Sequence, residues 1–204
     1  FSSERDIKSV LLVTITSNRG LCGGFNANII KSAVSLINND FKEKNVSFIS
    51  IGKKSSEFFK KNGYNLVNSF DDIFSDLTYD KTSIISESIM SEFLSGSYDK
   101  VVLVYNQFKN AATQNVMNEN FLPVESTSEN DIVIGDYIFE PQKKQIVEEL
   151  IPKSLKTQLF KAILKEKQGI IYGGSIFHSK ILPLIYRFIP NFLIIKILQK
   201  YYDG

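Results

Sequence analysis

A glycine-rich turn at positions 20–25 is the first segment whose residues could do chemistry. It contains Gly20, Gly23 and Gly24 and follows an apolar run typical of a strand. Where a strand turns into a helix, backbone N–H groups can bind a phosphate. The turn has neither the G-x-G-x-x-G spacing nor a lysine after its glycines. We therefore favour a structural turn, in which glycine permits positive φ, over a nucleotide site.

Nucleophilic or metal chemistry has few candidates in this sequence. Cys22 lies in the same turn, where a helix N-terminus would lower its pKa, but the base it would need is the single histidine, His178, far along the chain. Asp71, Asp72 and Asp76 form the densest acidic cluster, which we interpret as carboxylates beside a helix start. One cysteine and one histidine cannot form a zinc site. We therefore predict no catalytic residue, no metal and no cofactor.

The elements around this turn alternate between strands and helices. Runs of apolar and β-branched residues predict strands at 9–16, 46–51, 100–106 and 136–140, with a polar edge strand at 111–122. Helical spacing and capping residues predict a helix capped by Asn26, helices at 53–61 and 78–94, and a helical segment from 142 that Pro152 interrupts and restarts. The restarted helix carries Leu155, Leu159 and Ile163 on one face. The segment 69–76 is predicted to be a loop.

This alternation predicts an α/β fold, a Rossmann-like three-layer domain with a mostly parallel central sheet. We predict three parts: a domain at 1–141, the start of a C-terminal helical segment at 142–167, and an apolar, basic tail at 168–204. Prolines and charges interrupt the apolar run at 181–198, so an interfacial hairpin or a non-native tail is favoured over a membrane span.

Composition excludes some function classes. The 204 residues include 24 Lys and Arg against 22 Asp and Glu, and a net charge of +2 gives no basic surface for nucleic acid. A single cysteine cannot form an internal disulfide, which indicates a reducing compartment.

Residues 15–29, ITSNRGLCGGFNANI, resemble the signature S-[DN]-R-G-L-C-G-[GA]-[FY]-N of the gamma subunit of F-type ATP synthase. Further segments similar to that family follow in its order: FLSGSYDKV at 93–101, VYNQFK at 104–109, YIFEP at 137–141 and LIPKSLKTQLFKA at 150–162. The resemblance covers about residues 7 to 166. A match of this length and order is specific to the family.

The resemblance implies a central-stalk rotor subunit that catalyses nothing itself. It would couple proton flow through the membrane sector to ATP synthesis at the beta subunits and regulate ATPase activity. The implied partners are the alpha and beta subunits of the catalytic hexamer, the epsilon subunit and the ring of c subunits. The implied location is peripheral, on the cytoplasmic face of the bacterial inner membrane, with an organelle inner membrane as the alternative.

The resemblance also gives expectations for particular residues. Tyr137, Phe139 and Glu140 are expected to contact the c-ring and epsilon, although a plain edge strand is an equal alternative. Five residues of the signature are expected to shape the turn and to hold no ligand: Arg19, Gly20, Cys22, Gly23 and Gly24.

The chain departs from the family at both ends. It begins at Phe1, and the family's two long coiled-coil helices are largely missing. We expect a partial gene product whose start lies upstream and whose end was altered by a frameshift or rearrangement, with a divergent paralogue as the alternative. The alternative function is a stand-alone Rossmann-like enzyme that binds a nucleotide at Gly20, Gly23 and Gly24.

Overall fold

The computed structural model describes residues 1–2, 5–19, 24–110, 113–125 and 143–173. Within these ranges the strands are β1 (Ser9–Ile15), β2 (Asn45–Ile51), β3 (Leu66–Phe70), β4 (Lys100–Asn110) and β5 (Thr113–Leu122). The helices are α1 (Phe25–Asn38), α2 (Lys53–Lys61), α3 (Tyr79–Leu94) and α4 (Lys143–Gly173).

The five strands form one mixed sheet in the order β3-β2-β1-β4-β5. The first four strands of this order run parallel, and β5 pairs antiparallel with β4 at the edge. Chain order reverses between β1 and β4, because the chain first builds outward through β2 and β3 and then crosses back to β4. The predicted α/β fold with a mostly parallel sheet is confirmed, as is the polar edge strand.

The two faces of the sheet carry different helices. Val10 and Leu12 of β1 point into a cluster with Ile29 of α1 and Phe59 of α2. Alternate residues of the same strand point into the opposite cluster, which α3 and α4 cover. Because β1 has helices on both faces, six of its seven residues are buried. This is why the sequence of β1 is a continuous apolar run and does not alternate.

One strand was missed. The segment 69–76 was predicted to be a loop, but β3 runs to Phe70 and pairs with β2 from Leu66. No residue of β3 is fully buried, and its LVNSF sequence has neither alternation nor an apolar run. The signal is weak because β3 lies at the edge of the sheet and half of it faces solvent.

The predicted interruption at Pro152 is wrong. Helix α4 is continuous over 31 residues, with Pro152 inside it. A proline within a helix costs one backbone hydrogen bond. Leu155 and Leu159 behind it are 3% and 0% exposed, so burial of the apolar face compensates for that loss.

Some predictions fall outside the described residues, namely the strand at 136–140 and the tail beyond 173. Helix α4 passes the predicted boundary at 167, and the three-part division stays a prediction. Among the described residues, no helix is long and apolar enough to cross a membrane.

Candidate functional site

The site predicted from the sequence lies at the carboxyl end of β1, where the chain turns into α1. The described part of this turn includes Arg19, which is exposed, and Gly24, which precedes the helix. Gly20, Cys22 and Gly23 lie outside the described residues. The predicted interface residues Tyr137, Phe139 and Glu140 also lie outside them, so the roles of both groups of residues stay predictions.

At Gly24 the expectation of positive φ is wrong. Gly24 has φ −75° and ψ −2°, an ordinary right-handed conformation that any residue adopts. An added Cβ would lie 3.2 Å from the Asn28 amide nitrogen, which is a tight contact with a movable side chain. The glycine is therefore explained by limited space more than by backbone conformation.

Asn26 does not cap α1, contrary to prediction. The helix begins at Phe25, and no side chain caps it. The Asn26 side chain instead closes the turn: its Oδ1 accepts the Ser17 N–H at 2.9 Å, and its Nδ2 donates to the Arg19 carbonyl at 3.1 Å. The Ser17 hydroxyl donates to the same carbonyl at 2.8 Å. Ser17 and Asn26 thus hold the Arg19 carbonyl in place, and the structural role predicted for the glycine-rich turn stays a prediction.

Buried hydroxyl groups fill the space between the ends of β1 and β2. The Thr16 and Ser55 hydroxyls lie 2.9 Å apart, and Ser55 Oγ is also hydrogen bonded to Ser50 Oγ. Thr16 Oγ1 accepts the Ser55 N–H at 3.0 Å, at the N-terminus of α2. All three residues are 0% exposed. These donors and acceptors satisfy one another, which explains polar residues inside a core without a ligand.

Asn18 joins this end of β1 to α2 and to the loop after β3. Its Oδ1 accepts the Lys53 N–H at 2.9 Å, which satisfies one free N–H of the first turn of α2. Its Nδ2 donates to the Asp71 carbonyl. Asp71 itself accepts the Ser56 hydroxyl at 3.0 Å. Asp71 thus contacts α2, whereas Asp76 pairs with Lys81 at the start of α3, the helix beside which the cluster was predicted. Among the described residues no group of possible metal ligands occurs.

The crevice between β1 and β4 is where an open α/β sheet usually binds its ligand, because chain order reverses there. A buried carboxyl group of the protein lies beside it. Glu166 of α4 is 0% exposed, and its Oε2 accepts the Asn106 N–H at 2.8 Å, in β4 just beyond the residues that pair with β1. The Asn106 side chain donates to the Phe25 carbonyl at 2.9 Å. Burial raises the pKa of Glu166 well above its usual value, and the Asn106 hydrogen bond opposes that shift.

A second polar network lies between α4 and the outer strands. The Tyr105 hydroxyl donates to Glu119 Oε2, and Gln158 Nε2 donates to Glu119 Oε1 at 2.8 Å. Lys165 Nζ donates to the Tyr105 hydroxyl at 3.3 Å and lies 5.4 Å from the centre of its ring. Burial, followed by the hydrogen bond to Glu119, raises the pKa of Tyr105. This network ties α4 to β4 and β5.

Sequence reasoning missed Asn18, Asn106 and Glu166 as structural residues. For Glu166 a signal existed, because it follows Ile163 by three positions and so lies on the predicted buried face of the helix. For Asn18 no local signal exists, because its partner Lys53 is 35 residues away.

The sequence of this chain is similar to those of known proteins. A family model described as ATP synthase matches residues 1–169. An ATP synthase gamma chain of Christiangramia forsetii is 50% identical over 163 residues, which are 80% of this chain and 57% of that protein. The gamma chain of Flavobacterium johnsoniae is 48% identical over 164 residues, again 80% of this chain and 57% of the relative. The chain thus spans a little over half the length of these curated relatives.

Solved structures agree at the level of the fold. The central stalk and c-ring structure of Tetrahymena thermophila mitochondrial ATP synthase contains a chain that matches with a TM-score of 0.67 and 22% identity, covering 89% of this chain and 80% of that one. A rotor chain of Euglena gracilis mitochondrial ATP synthase matches with a TM-score of 0.59 and 17% identity, covering 86% and 67%. The signature turn, the sheet order and the family match over 1–169 agree, and this chain belongs to the ATP synthase family, in which these relatives are gamma chains.

Proposed function

We propose that this chain is the central domain of a gamma subunit, the rotor stalk of an F-type ATP synthase. In this role it couples proton flow through the membrane sector to ATP synthesis at the beta subunits and regulates ATPase activity. The observation that carries the proposal is the 50% identity to a gamma chain over 163 residues. In this role the chain supplies binding surfaces for the other subunits.

The proposed partners are the alpha and beta subunits, the epsilon subunit and the c-ring. Tyr137, Phe139 and Glu140 are the proposed contacts to epsilon and the c-ring, supported by the family's YIFEP pattern. The proposed location is peripheral, on the cytoplasmic face of the bacterial inner membrane, since the relatives at 50% and 48% identity are bacterial. An organelle inner membrane is the alternative, because the similar solved structures are mitochondrial.

The nucleotide-binding alternative has less support. The Asn106 N–H beside the crevice that would hold a nucleotide already donates to Glu166, and the hydroxyl groups between the ends of β1 and β2 are hydrogen bonded to one another. A phosphate would have to displace the carboxyl group or lie beside it.

The proposal is tested by a chimera in which residues 7–166 replace the matching segment of the Flavobacterium johnsoniae gamma chain. ATP-driven proton pumping by membrane vesicles is the readout. We expect pumping well above that of vesicles without gamma, because the relative supplies the segments outside the exchanged region. The control is the same exchange with a Rossmann-like domain of similar length from an unrelated enzyme. A chimera that assembles but pumps no better than this control contradicts the proposal.

A further inference from the structure

Helix α4 presents an apolar face to the sheet with one acidic residue at its end. Four positions of this face are 3% exposed or less: Leu155, Leu159, Ala162 and Ile163. Glu166 is the next position on the same face, and it is 0% exposed. An apolar residue here would continue the face at no desolvation cost, whereas a buried carboxyl is costly without a partner. The acid at this position therefore needs an explanation.

Its hydrogen bond supplies one. The parallel pairing of β1 with β4 ends at Thr14 and Val104, so the Asn106 N–H lies beyond the end of β1. Glu166 Oε2 accepts that N–H at 2.8 Å. The Asn106 side chain continues the connection to the Phe25 carbonyl at the start of α1. Through Asn106, the carboxyl group joins α4 to β4 and to the start of α1, the helix that follows β1.

The protonation state follows from the surroundings. Burial raises the pKa of Glu166, while Oε1 has no hydrogen-bond partner among the described residues. The charged and titratable groups nearby on the packed elements are otherwise engaged or exposed. Lys165 donates a hydrogen bond to the Tyr105 hydroxyl, and Arg19 is exposed. The charge of Lys167 adds to the Lys81 hydrogen bond in lowering the pKa of Asp76. Burial without a charged partner therefore favours the neutral carboxyl group over the carboxylate.

We propose that Glu166 is a positioning residue that sets the rotation and the axial height of α4 on the domain, by accepting the N–H of Asn106 in β4, beyond the end of its pairing with β1. Apolar packing alone tolerates sliding between similar side chains, whereas a single hydrogen bond to a backbone amide selects one register. A slip of one residue would turn the helix by about 100° and shift it by about 1.5 Å. If the chain is the rotor domain proposed above, that register fixes the angle between α4 and the sheet as the two turn together.

The test is amide hydrogen exchange in the ¹⁵N-labelled full chain, read at Asn106. In Glu166→Gln the amide oxygen can accept the same N–H, so exchange at Asn106 should stay within about threefold of the wild type. In Glu166→Leu the acceptor is gone, and exchange at Asn106 should rise about tenfold or more, with no such rise at Leu103 in the same strand. Glu87→Gln, which removes an exposed acid that pairs with Lys156, is the control and should change neither amide. Equal Asn106 exchange in the wild type and all three variants overturns the proposal.

Stability against pH provides a readout that survives if Glu166→Leu fails to fold. Because the folded pKa of Glu166 is raised, the stability that its carboxyl group contributes is fully present below the unfolded pKa of glutamate and is lost as pH rises through the folded pKa. Glu166→Gln has no such group, so its advantage over the wild type should grow from pH 5 to pH 8, to about 3 °C or more in Tm. A constant difference across this range, or a Gln variant that is less stable at pH 8, contradicts the neutral carboxyl and the proposal with it.

These measurements separate this inference from the proposed function. Exchange and unfolding are measured on the chain alone, and they can fail while the chimera pumps protons. Conversely, a chimera that does not pump leaves the Asn106 result unchanged.

Discussion

The residue types at the carboxyl end of β1 are explained by the groups that contact their side chains. Thr16, Ser50 and Ser55 are polar residues in a core because each satisfies another's hydrogen bonds. The sequence gives their identity but not their pairing, since Thr16 and Ser55 are 39 residues apart. The Gly52 carbonyl accepts the Ser50 hydroxyl at 2.9 Å, and the Gly52 backbone has φ +103°.

The first prediction concerns Gly52→Ala. A Cβ at this position would lie 1.9 Å from the Thr16 carbonyl oxygen, a backbone atom that cannot move aside, and the φ of +103° is strained for any L-residue. We expect a loss of about 3 kcal/mol or more in the free energy of unfolding, measured by urea titration. Gly63→Ala is the matched control: φ is +71°, but nothing lies within 4 Å of the added Cβ, so the loss should be about 1 kcal/mol. Equal losses in the two variants would contradict the contact with Thr16.

A second residue-scale prediction concerns Asp99, whose Oδ2 accepts the Lys8 and Ser9 N–H groups, each at 2.9 Å. The Ser9 N–H and then the Lys8 N–H lower the pKa of Asp99. A lowered folded pKa stabilises the fold above the unfolded pKa, and that stabilisation is lost as pH falls through the folded value. Asp99→Asn should therefore cost about 1–2 kcal/mol at pH 7, and its difference from the wild type should shrink below about pH 4.

Asp6→Asn is the control for Asp99→Asn, because it removes an exposed charge near the start of the same strand. It should leave the urea midpoint at pH 7 nearly unchanged. If the two variants lose equal stability, or if the cost of Asp99→Asn persists at pH 2, the hydrogen bonds to Lys8 and Ser9 are not what stabilises β1.

At the scale of elements, the sequence predicts best where burial imposes a pattern. β1, β2 and β4 have helices on both faces, so their apolar runs identify them, and Thr78 caps α3 through the Lys81 N–H as a local pattern can indicate. β3 was not predicted from the sequence because its position at the sheet edge leaves it half exposed, so its residues show no apolar run. The helix break predicted at Pro152 was wrong because a local rule for proline takes no account of how the residues after it pack against the sheet. The predicted interface strand at 136–140 stays a prediction.

Helix α4 carries the element-scale prediction. Pro152→Ala restores a backbone hydrogen bond inside a continuous helix, so the free energy of unfolding should rise by about 1 kcal/mol and helical circular dichroism should increase slightly. Lys153→Ala changes the adjacent exposed side chain without changing the backbone and should have little effect. A loss of stability in Pro152→Ala would mean that the proline ring supplies packing that outweighs the missing bond.

At the scale of the whole molecule, two sets of buried or half-buried hydrogen bonds hold α4 against the sheet. Glu166 joins α4 to β4 near the middle of the sheet, and the Glu119 network joins it to β4 and β5 toward the edge. A helix held at two separated points resists rotation better than one held by apolar contact alone. This is the mechanical property required of a domain that turns together with a shaft, and it connects the geometry to the proposed rotor role.

The central claim is that this chain works as part of a rotary ATP synthase. The most direct measurement is mass spectrometry of the native complex recovered with an antibody against the exposed face of α2. The control is the same antibody blocked beforehand with a peptide of the α2 sequence. We expect alpha, beta, epsilon and c subunits together with this chain, and their loss in the blocked sample. Recovery of the chain without any of these subunits would contradict the claim.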